Sequence, residues 1–173
     1  MPHTNTIRTR MQAEHLPDIA IDTFLHYHAQ LAAGETGLVP EDDLEPVEDL
    51  PDADSIPADV AAMGAAALPK TVYLKLNGGL GTGMGLAKAK SLLPVKNGLT
   101  FLDIIARQAR AAGVPLLLMN SFSTRDDTLA ALAKYPDLQK GDLPLDFLQH
   151  KVPKLLQSNL AAATWPQNED LAW

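Results

Sequence analysis

The segment TVYLKLNGGLGTGMGLAKAKSLLPVKNG, residues 71–98, decides the fold, because an apolar run in it leads directly into a glycine-rich loop. Five glycines fall within eight residues, at positions 78, 79, 81, 83 and 85. Glycine has no Cβ, so a ligand can approach its backbone N–H groups closely, and it also accepts positive φ. The segment therefore predicts a strand followed by a loop whose main chain binds a phosphate or a nucleobase. The alternative is that the glycines only form a tight turn.

Two common phosphate-binding loops do not match this one. The P-loop requires a glycine directly before its Lys-Ser pair, whereas Ala89 precedes Lys90 and Ser91 here. The dinucleotide fingerprint G-x-G-x-x-G is broken by Met84 or by Leu86, depending on which glycine begins it. The remaining interpretation is a loop that surrounds a nucleotide with its main chain.

Lysines follow this loop, and two of them suit the phosphates of a nucleotide. Transfer of a nucleotidyl group brings two anions together and gathers charge on the oxygens of the α-phosphate, so cations lower the barrier by electrostatics and positioning. We predict Lys90 and Lys96 as these phosphate-facing cations. Lys88 is interpreted as a solvent-exposed residue.

The rest of the chain predicts an alternation of strands and helices. Apolar residues at helical spacing predict four helices, at residues 17–33, 57–68, 98–113 and 123–135. Apolar runs predict three strands, at residues 70–76, 114–121 and 143–155, the last with its exit loop, and the second is expected to be buried on both faces. Candidate caps are Thr100 and either Ser123 or Thr124, and Gly34 and Gly113 suit the helix ends.

This order indicates an α/β fold with a mainly parallel sheet, in which ligands bind beyond the carboxyl ends of the strands. The glycine-rich loop and the segment MNSFSTRDD, residues 119–127, both leave carboxyl ends, so we expect them on the same rim. Residues 34–57 are rich in proline and acids and predict an extended connector. We therefore predict two regions: a helical leader with its acidic connector at 1–69, and a nucleotide-binding domain at 70–173.

Composition narrows the class of protein. The chain of 173 residues has no cysteine, which excludes disulfides and thiolate metal sites. Its net charge of −7 divides into −11 for residues 1–69 and +4 for residues 70–173, and a basic body suits a phosphate-bearing ligand. The sequence has no dense stripe of basic and aromatic residues of the kind that binds nucleic acid. It also has no apolar run long enough to span a membrane. Its first residues do not resemble a secretory signal, so we expect a cytoplasmic protein.

Four segments resemble one family. KLNGGLGTGMG at 75–85, AKSLLPVKNGLTFLDII at 89–105, PLLLMNSFSTRDDT at 115–128 and FLQHKVPKL at 147–155 are similar to segments of the UTP–glucose-1-phosphate uridylyltransferase family. The resemblance implies a Rossmann-like nucleotidyltransferase core. It also implies the reaction of UTP with glucose 1-phosphate, with Mg²⁺, to give UDP-glucose and pyrophosphate.

The resemblance also implies roles for individual residues. Lys90 would bind the triphosphate and act in catalysis, and Gln149 would hydrogen-bond the edge of the uracil. The other nucleotide-binding positions would act mainly through the main chain or the rim: Leu76, Asn77, Gly78 and Gly79 for uracil and ribose, Gly81, Thr82, Gly83 and Met84 for the phosphates, and Met119 and Ser121 on the MNS rim. Gly83 stands where other sugar-nucleotide pyrophosphorylases place an arginine, which argues against a UDP-N-acetylhexosamine enzyme.

Parts of the family pattern are not in this sequence. The later PPGHGD segment, an acidic metal ligand, a second catalytic lysine and a C-terminal β-helix domain are absent, so we expect an incomplete core that holds the UTP half-site. The protein ligand of Mg²⁺ is expected outside this chain. The alternatives are a non-catalytic module that binds a nucleotide or a partner, or a split enzyme completed by another chain. Exposed strand edges predict self-association or pairing with a missing C-terminal part.

Overall fold

The structure is a computed structural model that describes residues 3–173. Its contacts divide the chain into two units, Met1–Glu48 with His150–Trp173, and Asp49–Gln149. The region boundary predicted between residues 69 and 70 falls inside the second unit and stays a prediction, because contact units need not be domains.

Two helices form the core of the first unit. Helix α1 spans Thr4–Ala13 and helix α2 spans Asp18–Ala32. Ile7 and Met11, one turn apart on α1, pack on Ile21 and Leu25 of α2, and all four side chains are buried. The predicted α2 is confirmed, and Gly34 follows it with φ of 86°. Helix α1 was not predicted, because only two apolar residues mark its buried face.

The segment of residues 33–72, which follows α2, is exposed throughout. The predicted connector is extended and contains two short 3₁₀ turns, Glu41–Asp43 and Ala53–Ser55. Helix α3, Ala58–Ala67, confirms the short predicted helix. None of its residues is buried, so local propensity rather than packing accounts for it.

The second unit is built on a three-stranded parallel sheet. Strands β1 (Tyr73–Asn77), β4 (Leu116–Asn120) and β5 (Asp146–Leu148) lie in the order β1-β4-β5. Both pairings are parallel, which confirms the predicted α/β class. Two short strands, β2 (Pro94–Lys96) and β3 (Leu99–Thr100), form a separate antiparallel ribbon that was not predicted.

Helices α4 (Phe101–Ala112) and α5 (Arg125–Leu132) cover one face of the sheet. Helix α4 begins at the predicted cap, Thr100, in a reciprocal capping box with Asp103, and it ends at Gly113 with φ of 70°. The core joins both helices to β4 and to the loop that follows α5. Its buried residues are Leu102, Ala106, Ala109, Leu116, Leu118, Leu132, Tyr135 and Leu138.

The other face of the sheet is open. The registers Leu76↔Met119 and Met119↔Phe147 place these side chains on one face, and Leu76 is 61% exposed. Strand β4 was expected to be buried on both faces. This prediction is wrong, since Leu117 and Met119 are only half-buried while Leu116, Leu118 and Asn120 are buried. Within residues 3–173, no helix is long and apolar enough to cross a membrane.

Candidate nucleotide site

The carboxyl ends of β1 and β4 lie side by side. The register pairs Asn77 with Asn120, the last residues of the two strands. The glycine-rich loop leaves the first strand and the turn at residues 121–124 leaves the second, so the two segments share one rim, as predicted. Parallel strands bring loops of distant sequence together at this edge.

The glycine-rich loop is a folded turn rather than an open strap. Gly81 N donates to Lys88 O at 2.8 Å, and Leu80 and Ala89 form an antiparallel bridge. A 3₁₀ turn at Thr82–Met84 forms the tip of the loop, and Gly85 follows it with φ of 71°. Residues other than glycine rarely adopt this φ, so the backbone conformation at position 85 favours glycine. The structure therefore explains part of the glycine content by turn geometry, which was the alternative considered from the sequence.

A cavity of about 420 Å³ adjoins this loop, within the range of ligand pockets, roughly 300–1,000 Å³. Two cations line it, and no carboxylate does among the residues that the structure describes. The lining consists of Lys75, Leu76, Asn77, Gly79, Met84, Lys90, Ser91, Leu93, Phe101 and Ile105. Five of the predicted site residues thus meet at one cavity: Leu76, Asn77, Gly79, Met84 and Lys90.

Lys90 closes the loop onto its first glycines. Its backbone N donates to Gly79 O at 3.0 Å, and its side chain passes over Gly79, with Cδ 3.9 Å from where a Cβ would stand. No ion pair involves Lys90 among the described residues 3–173. Within this part of the chain, the ammonium group therefore has no carboxylate partner to neutralise it.

The two neighbouring lysines differ from Lys90. Lys88 is exposed and its Nζ lies 3.7 Å from Asp127 Oδ1, in agreement with its interpretation as a surface residue. Lys96, predicted as a second phosphate-facing cation, lies on β2 and is not among the residues that line the cavity. Lys75 of β1 lines the cavity instead.

Gly78 lies directly under the amide of Gln149. A Cβ at position 78 would lie 2.6 Å from Gln149 Cδ and 2.8 Å from its Nε2, closer than such atoms approach. The backbone N of Gln149 donates to Asn120 O at 2.8 Å, which fixes this residue beside the rim. The structure thus brings together Gly78 and Gln149, two predicted site residues 71 positions apart in the sequence.

A buried polar network ties the rim together around Asn77. Its Nδ2 donates to Asn120 Oδ1 at 2.8 Å and to Thr128 Oγ1 at 2.9 Å, and its Oδ1 accepts from Ser91 Oγ at 2.5 Å. Asn77 is 5% exposed and its whole amide is engaged. Its side chain is therefore structural, because its hydrogen-bonding groups are engaged inside the protein.

The predicted side-chain cap of α5 is wrong, although the helix begins at the predicted place. Thr124 occupies the capping position, but its hydroxyl makes no capping hydrogen bond. It donates to Asn77 O at 2.8 Å and accepts from Ser121 N at 3.0 Å instead. The Thr124 hydroxyl thus bonds to the last residue of β1 instead of to its own helix.

The remaining predicted positions lie around this network. Ser121 is buried, with Oγ 3.1 Å from Thr124 Oγ1. Met119 is half-buried on the open face of the sheet. Thr82 and Gly83 lie at the exposed tip of the loop, while a Cβ at Gly81 would lie 2.9 Å from Leu86 Cβ. Gly81 therefore packs against the loop itself.

An ion pair orders the start of β5. Arg125 Nε donates to Asp146 Oδ2 at 2.7 Å, and Asn120 Nδ2 donates to the same oxygen at 3.1 Å. The hydrogen bond from Arg125 is the main reason why the pKa of Asp146 falls below its usual value. The pKa of Arg125 is raised by the same contact.

Several lining residues were missed by sequence reasoning. Ser91 follows Lys90 directly, and Phe101 and Ile105 are one turn apart on α4. A helical stripe predicts burial in a core, yet Phe101 is 48% exposed at the cavity. The exposed position of Phe101 depends on tertiary packing, which the helical period does not encode.

The residues present do not fit a protein-held magnesium ion. Across residues 3–173, no three His, Cys, Asp or Glu side chains are grouped so as to hold a metal ion. Mg²⁺ prefers carboxylate, phosphate and water oxygens, and none of the lining residues is acidic.

Comparisons with known proteins agree on one family. Residues 21–173 match the family described as UTP–glucose-1-phosphate uridylyltransferase. A protein of that name from Solanum tuberosum is 49% identical over 100 residues. The match covers 54% of this chain and 20% of the Solanum tuberosum protein. One from Hordeum vulgare is 53% identical over 85 residues, covering 46% of this chain and 18% of its own.

Solved structures give the same result for the fold. A mutant UDP-glucose pyrophosphorylase from Leishmania major, in complex with UDP-glucose, superimposes with a TM-score of 0.86 at 38% identity. It matches 100% of this chain, which covers 37% of that protein. A UDP-glucose phosphorylase from Trypanosoma brucei gives 0.83 at 41% identity, with 100% and 38% covered.

The chain thus spans about a fifth of the curated relatives' length and under two fifths of the solved ones. Even so, the family match extends over most of it and includes the whole glycine-rich rim. This chain belongs to the UTP–glucose-1-phosphate uridylyltransferase family.

Proposed function

We propose that this chain supplies the UTP half-site of an enzyme that forms UDP-glucose from UTP and glucose 1-phosphate. The observation that carries this proposal is the cavity beside the glycine-rich loop, where Lys90 has no anionic partner among the described residues. The Leishmania major relative, solved with UDP-glucose, supports a uridine nucleotide as the ligand.

The uridine would lie on the main chain of residues 76–79. Gln149, whose amide covers Gly78, would hydrogen-bond the edge of a uracil. A base of the wrong hydrogen-bonding pattern would leave this amide unpaired, which is how polar sites discriminate strongly. Leu76, Gly78, Gly79 and Gln149 are assigned this role in the proposal.

The triphosphate would pass the loop tip and reach Lys90. Thr82 and Gly83 at the exposed tip would present their backbone N–H groups, while Gly81 and Met84, whose N–H groups bond within the loop, would hold the turn beside the phosphates. Met119 and Ser121 would border the rim. In the transfer, an oxygen of the sugar phosphate bonds to the α-phosphorus, the bond from that phosphorus to the bridging oxygen breaks, and pyrophosphate leaves. Lys90 would stabilise the charge that gathers on the phosphate oxygens, mainly by position and electrostatics.

Lys90→Ala tests the proposal in this chain, with isothermal titration calorimetry of UTP as the measurement. Loss of one charge-assisted contact of roughly 1.5–3 kcal/mol predicts a dissociation constant about 10- to 100-fold higher. Lys88→Ala is the matched control, since it removes the same charge from the same loop at an exposed position. If wild type does not bind UTP, or if both variants weaken binding equally, the proposed site is wrong.

A second function is a nucleotide-binding module without turnover. The absence of a histidine or carboxylate among the cavity's described lining residues favours it for this chain alone. An assay of UDP-glucose formation separates the two. Turnover by the purified chain supports the complete reaction, whereas UTP binding without turnover supports the module.

A further inference from the structure

We propose that Ser91 is a positioning residue, which holds Lys90 in the orientation that a triphosphate requires. The inference rests on the proposed function and adds to it a residue that does not itself contact the nucleotide. It follows from the way in which the loop returns to the sheet.

Lys90 is attached to the rim on two sides. Its own N–H bonds to Gly79 O at 3.0 Å, and the next residue, Ser91, donates from Oγ to Asn77 Oδ1 at 2.5 Å. Ala89, on the other side of Lys90, is fully buried. The backbone of Lys90 is therefore fixed between two buried neighbours, while its side chain is exposed.

The anchor for Ser91 is itself rigid. Asn77 has its Nδ2 group fully used by Asn120 and Thr128, so its Oδ1 can face only toward Ser91. A buried network in which every member is satisfied specifies one arrangement. The hydrogen bond from Ser91 to Asn77 therefore fixes the position of the 3₁₀ turn Lys90–Leu92.

A flexible lysine side chain gains from such an anchor. A cation contributes to binding and transfer only to the extent that it is held at the phosphate, because a misplaced group first has to be ordered. Without the Ser91 hydroxyl, the turn would keep its charge but lose one of its two attachments. The loss should therefore appear in the interaction with phosphates and not in the interaction with uracil.

Ser91→Ala tests this, with UTP and uridine titrated separately into the full chain. We expect the UTP dissociation constant to rise roughly three- to tenfold, which is about 0.7–1.4 kcal/mol and lies within the range for coupled neighbours, with that of uridine unchanged. In a Lys90→Ala background, Ser91→Ala should change the UTP value no further. An equal loss for UTP and uridine, or an undiminished effect in that background, would overturn the inference.

Tyr135→Phe is the control for stability. It removes a buried hydroxyl that donates to Asp103 Oδ1 at 2.9 Å, far along the chain from the loop. Thermal unfolding measures whether Tyr135→Phe and Ser91→Ala lose a similar amount of stability. Tyr135→Phe should leave the ratio of UTP to uridine affinity as in wild type. If wild type fails to bind UTP, the proposed function fails; if it binds UTP through Lys90 and Ser91→Ala has no effect, only the role of Ser91 fails.

Discussion

At the scale of residues, two adjacent glycines have different reasons for being glycine. A Cβ at Gly79 would meet Lys90 Cδ at 3.9 Å, an ordinary contact, whereas a Cβ at Gly78 would displace the amide of Gln149. The atoms displaced are the far end of a flexible side chain. A substitution at 78 therefore affects what Gln149 can bind more than it affects the fold.

Gly78→Ala should accordingly reproduce Gln149→Ala. We expect each variant to weaken UTP binding by a similar factor of roughly ten, the cost of one lost polar contact, and to unfold within about 1 kcal/mol of wild type. Combining them should give little further loss, because both remove the same amide from its place. Calorimetry and urea unfolding provide the measurements, and fully additive losses would show that the two residues act separately.

At the scale of elements, helix α4 is fixed by one carboxylate. Burial alone would raise the pKa of Asp103, but hydrogen bonds from Lys134, Thr100 and Tyr135 outweigh it and hold the pKa well below its usual value. The bonds from Lys134 and Tyr135 join the start of α4 to the loop after α5. Asp103 is thus both the partner of the helix cap and a link between two elements.

A pH dependence of stability follows from that carboxylate. Because the pKa is lower in the folded state, ionised Asp103 stabilises the fold above about pH 4, and this contribution is lost as the pH falls through the unfolded and folded values. Asp103→Asn should lower the free energy of unfolding at pH 7 and reduce its decline toward pH 3. Urea unfolding at both pH values measures this.

Asp137→Asn is the matched control, since Asp137 pairs with Arg110 at the surface. Exposed pairs contribute about 0–1 kcal/mol, so this variant should follow wild type at both pH values. Equal pH profiles for wild type and Asp103→Asn would contradict the role given to Asp103.

Much of the element order could be predicted from sequence, because long apolar periods and caps are local signals. Helix α4, with Thr100 and Gly113 at its ends, is predicted almost to the residue. Strands β2 and β3 could not be predicted, because they have only three and two residues, too few to show an alternating pattern. The rim was predictable as a location, but the choice of Thr124 to bond Asn77 rather than its own helix depends on a contact 47 residues away.

At the scale of the whole molecule, the chain combines an exposed apolar face of its sheet with a net charge of −7. Leu74, Leu76 and Phe147 are 47%, 61% and 39% exposed on it. An exposed sheet surface with an unpaired edge strand favours association with further polypeptide. We propose that copies of this chain associate through this face.

Leu74→Glu tests that proposal by sedimentation velocity over a range of concentrations. We expect wild type to show a rising mean mass, and the variant to remain monomeric, because a buried unpaired carboxylate opposes the contact. Val60→Glu, on the exposed helix α3, adds the same charge elsewhere and should behave as wild type. Equal suppression by both variants would assign the effect to net charge, and a monomeric wild type would refute the proposal.

The uninterrupted exposure of residues 31–74 determines how a protease would meet this chain. Cleavage requires a peptide segment that can enter the enzyme's cleft without first being pulled from a packed core. An endopeptidase specific for glutamate would find such sites after Glu41 and Glu48, each followed by aspartate rather than proline. The larger product would keep the glycine-rich loop, Lys90 and Gln149 on one polypeptide, so nicking here would leave the proposed nucleotide site on a single fragment.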